Sequence, residues 1–156
     1  MNKLDPSVKM IWSVGIFFRV LINSVILFLI ERFILIPNME WIAPSGVIPG
    51  IFFAIGIIAA FVLPQLQYKY WGFDIRDSEI YIERGVLTRI KTTAPYSRVQ
   101  HIDVRQSMME RMTNLASLII YTAGTRGADL TIPGLPEDYA ESLRDELKKI
   151  TSEDEL

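Results

Sequence analysis

The chain has 156 residues, 50% of them hydrophobic, a formal charge of -2 and no cysteine. That composition excludes disulfides, a thiolate nucleophile and any cysteine-based metal site. The mixed charge leaves no basic excess of the kind that nucleic acid requires.

The charges are unevenly placed. Residues 1–66 carry only Lys3, Lys9, Arg19 and Arg32 against Asp5, Glu31 and Glu40. Two apolar runs fill this region, from Ile11 to Ile36 and from Val47 to Leu66. A spanning helix needs about 20 apolar residues, and both runs suffice. The first is too long for the apolar region of a signal peptide and has no clear cleavage site. Arg19 at mid-bilayer would cost at least about 2.5 kcal/mol. A span over residues 17–36 avoids that cost. Arg19 then reaches the inner interface, Glu31 and Arg32 pair at the outer one, and residues 4–16, with Trp12, form an interfacial helix. The other register buries Arg19 with Asn23 one turn on and suits a transporter subunit or membrane enzyme.

The second span, residues 47–66, contains Gly56 and Ala60 four apart, a spacing that lets helices approach closely in lipid. Packing against the first helix makes an antiparallel hairpin whose connector, Pro37 to Gly46, holds Trp41 at an interface position. Basic residues flank the outer ends of the pair (Lys3, Lys9 and Arg19 before it; Lys69, Arg76 and Arg84 after it), whereas the connector side has only Arg32. The positive-inside rule puts both termini in the cytoplasm, in the cytoplasmic membrane. Tyr68, Tyr70 and Trp71 follow the second span as an aromatic anchor, with strand packing an equal claimant.

Beyond residue 66 the period shortens to that of strands. Residues 67–150 read as a small β domain and residues 151–156 as an acidic tail. Ile80 and Ile82 face one way, Tyr81 and Glu83 the other. Gly85 turns the chain into "LTRIKTTAP", and Ile102 and Val104 share a face of the next strand. "SMMERMTNLA" reads as a turn or short helix. "SLIIYTAG" and "ADLTIPG" pair across a turn at Gly124–Gly127. A helix follows, with Pro136 at its first position, Glu137 and Asp138 at the positive end of its dipole, and Tyr139, Leu143, Leu147 and Ile150 as its apolar stripe.

The stretch "APYSRVQHIDVRQSMMERMTNLASLIIYTAG", followed by "LTIPGLPEDYAESLRDEL", resembles the bacterial pleckstrin-homology-like family, also called the membrane-flanked domain. Pro95, Arg98, Gln100 and Asp103, the "YTAG" strand end and the "PGLP" helix entry carry the likeness together. It is similar to the small class with two N-terminal transmembrane helices and one such domain. The resemblance implies an all-β PH-like fold, a bent antiparallel sheet capped by a C-terminal helix. It supplies no catalytic residues and implies no cofactor.

The residues offer few sites of their own. His101 shares a strand face with Asp103, and Ser97 is the nearest hydroxyl, but no nucleophile, base and orienting group are evident together. One histidine without cysteine makes a poor metal site. Gly124, Thr125, Arg126 and Gly127 match neither phosphate-loop spacing and read as a hairpin. Arg84, Arg89 and Lys91 form the most basic cluster, a candidate contact for lipid headgroups or a partner. Met108, Met109 and Met112 beside Leu115 read as a gap-filling core turn or, less simply, as an adaptable partner surface. The expectation is a membrane-anchored, non-catalytic interaction module whose partners are the bilayer and either another membrane protein with such domains or copies of itself. An anionic-lipid sensor is the alternative, and no residue points to envelope stress or defence specifically.

Overall fold

The computed structural model describes residues 1–36, 44–123 and 130–153, without the side chains of 152 and 153. Trp41, the Gly124–Gly127 turn and residues 154–156 of the acidic tail lie outside them. The chain forms two compact units, Lys9–Gln65 and a second made of Met1–Val8 with Leu66–Leu156.

The first unit is helical. Helix α1 spans Val8–Ile30 and continues through a π-helical turn at Glu31–Leu35, and α2 spans Val47–Tyr70. Each is long and apolar enough to cross a bilayer. Residues 4–16 do not form one separate helix: residues 4–7 precede α1, and α1 runs without a break from Val8 to Ile30. α2 likewise runs four residues past Leu66, with Pro64 buried inside it. Gly56 and Ala60 are buried, and a Cβ on Gly56 would run into the side chain of Val20. The small residues thus let α2 approach α1, as their spacing indicated. Glu31 turns inward rather than toward Arg32. Both of its carboxylate oxygens lie 3.2 Å from the Gly46 amide, which donates to them.

The second unit holds two three-stranded antiparallel sheets. β1 (Gly72–Ile75), β2 (Glu79–Arg84) and β3 (Ile90–Pro95) form one in that order. β4 (Val99–Arg105), β5 (Leu115–Thr122) and β6 (Leu130–Pro136) form the other. A 3-10 turn at Tyr96–Arg98 joins the sheets, a short helix α3 (Met108–Met112) joins β4 to β5, and α4 (Glu137–Glu153) packs on the second sheet. This is the bent sheet with a helical cap that a PH-like fold requires. Alternation places Ile80 and Ile82 in the core, together with Ile102, Leu118, Ile120 and Ile132. Tyr96 is buried with them, and its hydroxyl donates to the Arg76 carbonyl at 2.7 Å, closing the β1–β2 turn.

The α4 stripe differs by one position from the expected one. Ala140, Leu143 and Leu147 are buried, while Tyr139 is exposed. Spacings of three and four hold for both sets, but the small Ala140 lets the helix lie closer to the sheet than a tyrosine would. Pro136 ends β6 instead of opening the helix.

The N-terminal arm belongs to this unit, not to the membrane anchor. Asn2 pairs with Phe73 beside β1, through amide-to-carbonyl bonds of 2.7 and 3.1 Å. Leu4 and Val8 are buried, and the Asp5 amide donates to the Gly134 carbonyl at 2.9 Å. Asp5 also accepts from the Ser7 amide at 2.8 Å, and Pro6 between them has no donor to lose. Together they cap the entry to α1. The sequence signal for this arm is weak, since Leu4 and Val8 are single apolar residues without a period.

Candidate functional site

The β2–β3 hairpin carries the basic cluster. Gly85 sits at φ 116°, and a Cβ there would strike the Thr88 carbonyl, so the turn folds back on itself tightly. Only glycine adopts that geometry without strain. Glu83 pairs in register with Lys91, and Arg84 with Ile90. Arg89 reaches back to Glu83, Nε to Oε1 at 3.0 Å. Arg84, Arg89 and Lys91 are all exposed, so the structure brings the three cations together on one finger. Between them Leu87 is 100% exposed, and Ile90 is 47% exposed. The strand expected from Leu87 onward starts only at Ile90. An apolar residue inside a tight turn cannot reach a core, and that was the signal for Leu87 in "RGVLTR".

A second exposed apolar feature lies on α3. Ser107 and Glu110 form a reciprocal capping box at its start: the Ser107 amide donates to the Glu110 carboxylate at 2.8 Å and the Glu110 amide to Ser107 Oγ at 3.4 Å. Such a box fixes a first turn that would otherwise fray. Met108 and Met112, four apart, are 81% and 75% exposed. They do not fill a core turn as expected. Leu115, at the start of β5, and Ala116 occupy that space instead.

The junction aromatics divide. Trp71 is buried and packs edge-on against Phe73, ring centres 6.4 Å apart, so strand packing claims it. Tyr68 is half-buried, and its hydroxyl donates to the Leu4 carbonyl at 3.1 Å. Tyr70 is exposed beside Lys69, whose ammonium lies 5.7 Å from the ring centre. A cleft of about 160 Å³ here is lined by Lys3, Lys69, Glu83 and Arg89 among others. Its cations are engaged: Lys3 donates to the carbonyls of Lys69 at 2.9 Å and Trp71 at 3.0 Å, and Arg89 holds Glu83. On the helices, Trp12 is half-buried, while Arg19 is exposed and its carbonyl accepts from Asn23 at 2.7 Å.

His101 and Asp103 do meet, Nε2 to Oδ1 at 2.7 Å, with the imidazole stacked on Tyr121. Both side chains are largely open to solvent on the outer face of β4. Among the described residues no wall encloses the pair to hold a substrate or exclude water. Among the described residues no group of three or more histidines and carboxylates could hold a metal ion.

Comparison with known proteins agrees with this architecture. The family model for the bacterial PH domain matches residues 17–151. A relative in Bacillus subtilis (strain 168), the UPF0699 transmembrane protein YdbS, is 28% identical over 153 residues, covering 96% of this chain and 91% of its own. No solved structure matches.

Proposed function

The chain belongs to the bacterial PH domain family, and from that premise we propose that it is a non-catalytic assembly module at the inner face of the cytoplasmic membrane. Its partner is a second membrane protein with such domains, or another copy of this chain. The observation that carries the reading is the Met108–Met112 pair, displayed on a helix locked by its capping box. Flexible, polarizable side chains on a rigid base adapt to an apolar partner surface, and large exposed apolar side chains favour contact over solvation.

The core shared by residues 1–8 and 66–156 supports a membrane hairpin. A chain whose two ends pack in one core must enter and leave the bilayer on the same side. Lys3 and Lys9 on that side, against Arg32 toward the connector, favour the cytoplasm.

Photo-crosslinking in native membranes, with the crosslinker at position 108 or 112 of the full chain, tests the reading. A discrete dimer or one discrete hetero-adduct is expected. A chain that stays monomeric at both positions would exclude assembly through this helix.

A further inference from the structure

We propose that the β2–β3 hairpin is a membrane-inserting finger, with Leu87 entering the interfacial region of an anionic leaflet while Arg84 and Lys91, beside the Glu83-bound Arg89, meet lipid phosphates. This is a different surface from the methionine pair, and it stands or falls without the assembly reading.

Turns at hairpin tips are ordinarily built from Gly, Asn, Asp, Pro and Ser. Here Gly85 supplies the turn geometry, yet Val86 and Leu87 follow it, and Leu87 is 100% exposed. No described residue covers it. Three cations surround the tip against one carboxylate, Glu83, which is already bound to Arg89 at 3.0 Å. An apolar tip ringed by basic residues combines the two forces that hold interfacial segments, apolar burial and attraction to anionic lipid.

The shape also selects the occupant. A specific protein interface buries about 800 Å² on each partner, and a single protruding leucine with part of Ile90 offers far less. A fluid bilayer needs no matching pocket, because lipid closes around the inserted side chain. The two helices long enough to span tether the hairpin to that bilayer in one chain, which raises its effective concentration there.

The absence of native cysteine makes the test direct. The full chain with Leu87→Cys, carrying an environment-sensitive fluorophore, is reconstituted into vesicles of phosphatidylcholine alone or mixed with phosphatidylglycerol. Blue-shifted emission, quenched by nitroxide on the lipid chains, is expected only with phosphatidylglycerol. Arg84→Gln and Lys91→Gln should each lower the inserted-to-free ratio roughly fivefold. Glu141→Cys, exposed on α4, should report water in both vesicles. Thr88→Cys gives the same reading at the tip should Leu87→Cys fold poorly. Water-like emission from the tip in both vesicles overturns the proposal. So does shielding that ignores lipid charge or grows with the density of unlabelled chains, since that places the tip against protein.

Discussion

Val8 lies on the bare backbone of Gly134: a Cβ at position 134 would fall 2.5 Å from Val8 Cγ2 and 2.6 Å from its Cβ. Gly134 also has φ 62°, a conformation that costs a side chain about 1–2 kcal/mol. Gly134→Ala should therefore destabilise the soluble unit by about 2 kcal/mol or more, strain and overpacking together. Val8→Ala in the same chain removes the Cγ2 contact but keeps the Cβ at 2.6 Å, so it should recover only part of the packing loss and leave the strain. A double-mutant cycle by denaturation measures both; strictly additive losses would show that the two residues do not press on each other.

Residues 1–8 should be required for stability of the β unit. Leu4 is almost fully buried, so Leu4→Ala should cost about 2–5 kcal/mol. A fragment beginning at residue 67 should be less soluble and exchange its β1 amides faster than one with the arm restored in trans. Equal amide protection in the two samples would show the arm to be dispensable.

Gly56→Val should separate α1 from α2, because Val20 is β-branched and cannot swing aside. In mild detergent the variant should lose thermal stability and lose a disulfide engineered between the two helices. Gly50→Ala, where a Cβ meets nothing within 4 Å, is the neutral comparison. If both variants crosslink like the parent, close helix packing at Gly56 is refuted.

Asp145 accepts hydrogen bonds from Arg144, Nε and Nη2 each 2.9 Å from Oδ1. That bond, aided by the charge of Arg144 and nearby Lys148, holds its carboxyl below the usual carboxylate range against a smaller desolvation effect. A depressed folded-state value means stability that is present above the unfolded value and lost as pH falls through the folded one. The pair is exposed, so the effect on folding is small and is best read by NMR titration. Arg144→Ala should move the Asp145 midpoint upward; an unmoved midpoint would assign the depression elsewhere.

Much of the fold was legible from period alone. Ile80 and Ile82 alternate on β2, and Gly56 and Ala60 recur at four on α2, because each pattern serves one buried face. The rest depended on long-range contacts that no local period records. Trp71 reads as an anchor until it is seen buried against Phe73, and Tyr139 loses its place in the stripe to Ala140 because the sheet comes so close. Arg84, Arg89 and Lys91 stood out by charge. Met108 and Met112 did not, since an apolar letter in a sequence suggests a core, and only the surface of the folded unit shows which ones are left outside.

The arm has a consequence for biogenesis. Leu4 and Val8 are synthesised before both helices, yet the strand that receives Val8 carries Gly134 and emerges after them. Contacts of such sequence separation form late. While both apolar helices are being made, the arm must wait unpaired. It closes only when β6 is complete, so this contact joins segments made before and after both helices.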